Sequence, residues 1–287
     1  MARELASASS NATSGTRVRR AEPPRLGRQH AIVHAFHQAL RGKTEGAAPP
    51  RILIESPKLL GEALRSRLRI EAVLFTPVGW KQHGVRLGTQ LSKHTSTGLV
   101  EEAVLRSAVD VETPAGLAAL AQPPQVRLED FWSDPEPTPS LVVVAAGIQD
   151  PGNLGTLLRV AEAFGAQGLV SLKGGVSLWR PKTIRASAGA LFRLPALDGV
   201  EAERWLEFCR SRGARLIAAT PRSGKPPEEL DWRGRVSLLI GGEGAGLPRA
   251  FQRAAEAVSL PMHAQTESLN ASVAGAILLY LAWRHRM

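Results

Sequence analysis

From residue 141 onward, apolar positions alternate between two patterns. An unbroken apolar run occupies residues 141–148, and shorter, mostly apolar runs occupy 168–172, 214–219 and 236–240. The first is β-branched at its centre, which marks a strand covered on both faces in a parallel sheet. Between the runs, residues 154–164, 183–192 and 205–212 carry helical spacing. Gly165 and Gly213 stand just past the first and third of these, where glycine often ends a helix. A last helix over residues 270–284 is strongly apolar, so it should pack in a core or against a second subunit. Strands alternating with helices predict an α/β fold with a mostly parallel sheet.

The pattern before residue 141 is less regular. Residues 30–41 read as a helix and 51–55 as a short strand. Ser56-Pro57 opens a helix to about residue 67, since proline suits the first turn. Residues 71–75 form a second strand. Strand, helix and strand predict a small α/β domain over residues 29–123. Pro123, Pro124, Pro135, Pro137 and Pro139, interleaved with acidic residues, mark 124–140 as a linker with one short helix near 128–132. The larger domain is then 141–287, and residues 1–28 form a disordered basic tail. A length of 287 residues also favours two domains.

Composition narrows the function. The balance of 36 Lys+Arg against 26 Asp+Glu gives a formal net charge of +10. Such a chain suits a polyanion partner, because neutralised phosphates release counterions. A basic surface kept for solubility is the plainer reading. Cys209 is the only cysteine, which rules out an internal disulfide and fits the cytoplasm. The longest apolar runs fall short of the ~20 residues that span a bilayer. The first 20 residues lack the apolar core of a secretory signal. Their Ser, Ala, Thr and Arg fit a disordered tail, with an organelle transit peptide as the other reading. His30, His34 and His37 share a helical stripe. No cysteine pair or HExxH pattern accompanies them, so an amphipathic or RNA-facing helix is preferred and no metal is expected.

Three glycine- and asparagine-marked turns follow predicted strands. They are residues 150–155 with Arg159 beyond, the glycine-rich run 241–246, and Leu260-Pro261-Met262 leading to Ser268-Leu269-Asn270. Ligands of parallel sheets bind at the carboxyl ends of strands, and glycine lets backbone amides approach them. Arg159 would be held near such an end, where a guanidinium suits a phosphate or a developing oxyanion. Pro261, Met262 and Leu269 offer an apolar shelf for an adenine ring or a thioether. Structural roles compete: Asn153 and Ser268 are good N-caps, and Glu243 can anchor its loop. The glycine run lacks the dinucleotide fingerprint, because Leu247 stands where the third glycine belongs. A Walker A loop would need glycine at His37, and no Gly-x-Ser-x-Gly elbow occurs.

The order Asn153-x-Gly155-x-x-x-Arg159, Gly242-Glu243-Gly244-x-Gly246-Leu247, then Leu260-Pro261-Met262 through Glu267-Ser268-Leu269-Asn270 resembles the three motifs of the SpoU (TrmH-like) RNA ribose methyltransferases of the SPOUT superfamily. The resemblance covers about residues 141–284, and reaches the first domain through Glu55-Ser56-Pro57-Lys58 and Glu112-Thr113-Pro114-x-Gly116. It implies S-adenosyl-L-methionine as methyl donor and a ribose 2′-hydroxyl of ribosomal or transfer RNA as acceptor. It also implies a deep trefoil knot, a homodimer with a shared active site, and a first domain that binds RNA. By position, the catalytic group is Arg159, Asn153, Glu243, Ser268 and Asn270. Donor contacts fall to Ile240, Gly241, Gly242, Gly246, Leu260, Met262 and Leu269, and RNA contacts to Lys58, Lys182, Arg185 and Arg193. Ala264 and Ser56 depart from the family pattern, each standing where glycine is common. The alternative is a non-catalytic RNA-binding protein that keeps the fold.

Overall fold

The structure, a computed structural model, describes residues 21–42, 51–132, 140–242, 246–263 and 265–287. The first part contains α1 (Ala31–Leu40), β1 (Ile52–Ile54), α2 (Pro57–Arg65), β2 (Ile70–Phe75) and α3 (Pro77–Gly79). A π-helical turn, Trp80–Gly84, leads to α4 (Val85–Gly88), β3 (Ser96–Leu99), α5 (Glu102–Ser107) and β4 (Leu117–Ala121). The sheet order is β1-β4-β2-β3, with β4 antiparallel to both neighbours and β3 parallel to β2. Ser56 starts α2 by accepting from the Leu59 amide at 3.2 Å, with Pro57 in the first turn.

Side chains of this sheet alternate between two cores, as the period of two requires. Leu53, Leu74 and Leu120 point toward Val33 and Phe36 of α1. Ile52, Val73 and Ala119 face α2, in a core that continues into Ile184 and Leu191 of the larger part. The basic-tail expectation needs correcting for residues 21–28. The Leu99 amide donates to Pro24 O at 2.8 Å and the Leu26 amide to Leu99 O at 2.7 Å, so this stretch is pinned beside β3. Gly98 makes room for it: a Cβ there would stand 2.1 Å from Leu26 Cδ1. Residues 1–20 lie outside the described residues.

The larger part contains β5 (Leu141–Ala146), α6 (Pro151–Ala163), β6 (Gly168–Leu172), α7 (Pro181–Ala186), β7 (Ala196–Val200), α8 (Ala202–Ser211), β8 (Arg215–Ala219), β9 (Val236–Gly241), α9 (Arg249–Gln252), β10 (Glu256–Val258) and α10 (Ala271–Arg286). Six strands run in the order β10-β8-β9-β5-β6-β7, all parallel. Leu141, Val143 and Ala145 of β5 face Leu157 and Leu278 of α6 and α10. Val142, Val144 and Ala146 face Trp205 and Phe208 of α8. The fold is the expected mixed α/β class with a mostly parallel sheet.

Two expectations change here. The helix over 183–192 is broken after α7: Ala188 (φ 51°) and Gly189 (φ 93°) turn left-handed, and a 3₁₀ turn, Ala190–Phe192, follows. The stretch read as a linker packs into a core over its described residues. A 3₁₀ turn, Leu128–Asp130, positions Trp132 to stack on Phe208, with ring centroids 5.9 Å apart, while Phe131 meets Trp205 edge-on. Residues 133–139 lie outside the described residues.

Candidate active site

The site begins with backbone contacts that only glycine permits. After β5 the chain turns at Gly147 (φ 71°). The Gly242 amide donates to Ala146 O at 2.8 Å, tying the end of β9 to the end of β5. A Cβ at Gly242 would fall 2.1 Å from Gly147 O, so the two turns touch through bare backbone. Gly242 also bridges Gly246, whose φ is 63°, which closes the loop after β9. Glu243, expected in this loop, lies outside the described residues, as does Ala264.

Two helix starts are assigned differently from the sequence reading. Asp150, not Asn153, caps α6, accepting from the Asn153 amide at 2.8 Å. Asn270, not Ser268, caps α10, accepting from the amides of Ser272 (3.0 Å) and Val273 (3.3 Å). The Asn153 side chain is thereby left for another task. Asn270 Nδ2 donates to Asn153 Oδ1 at 3.1 Å. Ser272 Oγ lies 2.7 Å from Asn270 Oδ1 and 3.3 Å from Asn153 Oδ1. Ser272, buried, was missed by sequence reasoning; its position two residues after Asn270 was the available signal. This cluster joins the starts of α6 and α10. Their helices pack so closely that a Cβ on Gly275 would come 2.7 Å from Leu157 Cδ1.

A cavity of about 590 Å³ opens at the carboxyl ends of β8, β9 and β10. Ile240, Gly241, Gly242, Gly246, Leu260, Met262 and Leu269 all line it, together with Ser268. Thr220, Pro221, Phe251 and Gln252 also line it and were not anticipated. Thr220-Pro221 directly follows the predicted strand 214–219, the one signal that pointed to them. Arg159 is exposed on α6, has no partner among the described residues, and is not part of the cavity wall.

The four expected RNA contacts divide into two kinds. Lys58 is exposed on α2, and Lys182 Nζ stands 3.7 Å from Asp150 Oδ2 with most of its side chain in water. Arg185 and Arg193 instead meet carboxylates across the two parts of the chain. Arg185 hydrogen-bonds the buried Glu55, and its other nitrogen lies 3.1 Å from Asp110 Oδ2. Arg193 reaches Glu62 of α2 at 2.7 Å and Glu162 of α6 at 2.5 Å. Burial pushes the Glu55 carboxyl above its ordinary value, against the opposing pull of the Asp110 amide and Arg185. The hydrogen bond from Arg65 holds Glu62 below the usual carboxylate range.

The histidine stripe has local partners. His30 caps α1 by accepting from the Ile32 amide, and His37 Nε2 lies 3.1 Å from Ser107 Oγ. Among the described residues no group of three or more His, Cys, Asp or Glu could hold a metal, and no helix is long and apolar enough to cross a membrane. Burial pushes the Cys209 thiol up to about 12, which suits a packing role.

A glycine-walled cavity at the carboxyl edge of a parallel sheet is where proteins of the α/β class hold a cofactor or other small ligand. A sequence profile of the SpoU rRNA methylase family matches residues 140–280. An uncharacterized tRNA/rRNA methyltransferase of Synechocystis sp. is 30% identical over 252 residues, 88% of this chain and 89% of its own. The 23S rRNA (guanosine(2553)-2′-O)-methyltransferase RlmP of Bacillus subtilis is 28% identical over 242 residues, 84% of this chain and 92% of its own. The crystal structure of an RNA 2′-O ribose methyltransferase aligns with a TM-score of 0.72 at 31% identity, covering 92% of this chain and 99% of that one. This chain belongs to the SpoU rRNA methylase family, RNA ribose 2′-O-methyltransferases that use S-adenosyl-L-methionine.

Proposed function

We propose that this chain methylates a ribose 2′-hydroxyl of ribosomal RNA, large-subunit RNA before transfer RNA, as a cytoplasmic homodimer. The basic charge and the kinship with a 23S rRNA enzyme support the substrate. One observation carries the reading: seven motif residues scattered from 240 to 269 surround a single cavity, and the Asn153–Asn270–Ser272 cluster ties the start of α10, which also lines it, to the start of α6.

The cavity fits the donor. Its volume lies within the ~300–1,000 Å³ of small-molecule sites, and Gly241, Gly242 and Gly246 wall it with backbone that carries no side chain. Leu260, Met262, Leu269 and Ile240 would hold the base and the thioether end. When bound, the donor supplies a methyl group already activated by its sulfonium. The chain must then orient the hydroxyl and manage its proton, and positioning alone can supply about 7–11 kcal/mol.

Asn153 and Asn270 brace the two helix starts, and Ser268 stands in the cavity wall to orient the ribose; Glu243 steadies the loop after β9. Arg159 grips the adjoining phosphate and stabilises the developing alkoxide, while phosphate or water takes the proton, since a guanidinium holds its own proton too firmly to serve as a base. Arg159 stands outside its own cavity wall, which supports its serving the cavity of a partner subunit. The trefoil knot belongs to the same proposal. Family membership supports it, as does the return of α10 from edge strand β10 to α6 beside central β5. The small sheet, residues 29–123, serves RNA binding.

Labelled-methyl transfer to rRNA is the direct test. Arg159→Ala should lose at least 100-fold in turnover, of the order expected for removing one transition-state donor (~10²–10³), while calorimetry shows donor binding intact. Wild-type turnover in that variant would remove the role. Wild-type protein that binds RNA yet transfers no methyl group would favour the non-catalytic alternative.

A further inference from the structure

A second concave surface lies where the two parts of the chain meet. It is a groove of about 600 Å³, with Leu40 and Asp110 on one wall and Gln149, Pro151, Arg180 and Lys182 on the other. The segment after β5 runs between it and the donor cavity, although no lining residue is common to the two. The segment from Gly147 to Asn153 separates them: Gly147 abuts the cavity residue Gly242, while Gln149 and Pro151 face the groove. A strand of nucleic acid in the groove would pass beside the first turn of α6, where Asn153 stands.

The chemistry of the walls is that of a phosphate seat. Arg180 is exposed, and its side chain has no hydrogen-bond or ion-pair partner among the described residues. Lys182 keeps its side chain 59% exposed and approaches Asp150 only to 3.7 Å. Asp110 is the one carboxylate among the groove's lining residues, and it already faces Arg185 at 3.1 Å. Gln149 Nε2 donates to Gly174 O at 2.7 Å, which leaves its amide oxygen as an acceptor at the groove. Two exposed cations, one satisfied acid and one free acceptor suit a sugar–phosphate chain better than an apolar ligand or a peptide carboxylate.

We propose that this groove seats the RNA strand adjoining the methylated nucleotide, with Arg180 and Lys182 taking its backbone phosphates. Arg180 is new to the RNA surface. The proposal rests on the methyltransferase reading above and names where that substrate lies. Because both parts of the chain form the groove, RNA would be held only while they remain docked.

The test uses the full chain with an oligouridylate 20-mer as sequence-neutral probe, across a salt series, beside Arg180→Ala and Lys182→Ala. Each variant should bind the probe about tenfold more weakly at low salt. Each should also flatten the log–log salt slope by about 0.7, one single-strand phosphate contact. Donor affinity and thermal midpoint should match wild type, which shows that the fold and the donor cavity are intact. If both variants keep the wild-type affinity and slope, the groove is overturned. If wild type transfers no methyl group to rRNA while the variants still lose RNA affinity, the groove stands and the enzymatic reading falls.

Discussion

At Gly242 a single missing carbon decides whether the donor cavity exists. A Cβ would sit 2.1 Å from Gly147 O, and backbone on both sides leaves nothing flexible to yield. Gly242→Ala should therefore push the ends of β5 and β9 apart. A destabilisation of about 1–3 kcal/mol is expected, the usual cost of overpacking, along with loss of donor binding. Urea unfolding and calorimetry with the donor check this. Unchanged donor affinity would show that the contact is not needed. This glycine was legible as a close-approach position, though its partner was not, since no spacing rule pairs residue 242 with residue 147. Asn153 and Asn270 were legible as site residues but not in their mutual contact. Local rules offered Asn153 and Ser268 as caps, and Asp150 and Asn270 took those places. Ser272 was signalled only by standing two residues after Asn270, and the fold puts it 3.3 Å from Asn153.

Among the elements, α10 has the most to explain. Its buried face, including Leu278, Leu279 and Ala282, packs inward. Its outer stripe leaves Val273, Ile277 and Tyr280 at 47%, 39% and 40% exposure. Spacings of four and three residues place them on one side, as a helix-to-helix contact requires. The proposed homodimer covers this stripe. Ile277→Asp should give a monomer by sedimentation and abolish methyl transfer, because Arg159 would lose its partner cavity. A variant that stays dimeric, or a fully active monomer, would place the interface elsewhere. The apolarity of residues 270–284 already suggested a core or subunit contact, and the core face is the one the structure shows. Other elements were less legible. Residues 117–121, Leu-Ala-Ala-Leu-Ala, favour helix by propensity, yet become β4 because strands on both sides pair with them. The broken helix at 188–189 has a tertiary cause as well: Gly189 lies against Glu62, whose Cγ a Cβ would meet at 2.8 Å.

Across the whole molecule, one core and two ion-pair clusters fix the small sheet to the large one. Arg193 bridges Glu62 to Glu162, and Arg185 bridges Glu55 and Asp110. Composition signalled basic side chains for RNA, and could not show that two of them face buried or half-buried acids across the chain. Glu55 is the critical partner because its side chain is fully buried while Arg185 keeps 28% exposure. Arg185→Ala leaves that carboxylate without its cation and should cost about 3 kcal/mol near neutral pH, the low end for breaking a buried pair. The pH dependence has a definite sign. Burial raises the folded-state pKa of Glu55 above its unfolded value, so its contribution is fully present in acid and is lost as pH rises through the raised value. Removing Arg185 removes a group that lowers this pKa, which carries the folded value higher still. The stability gap between wild type and Arg185→Ala should thus be small where Glu55 is protonated and widen as pH climbs to neutrality. Glu62, held low chiefly by Arg65, runs the other way: its contribution fades as pH falls through its depressed value in both proteins, and so cancels from the comparison. Urea titrations of the two proteins from the carboxylate range to neutral pH measure the gap directly. A gap that stays constant with pH would mean that Arg185 acts through packing, with no charge pairing to the carboxylate beneath it.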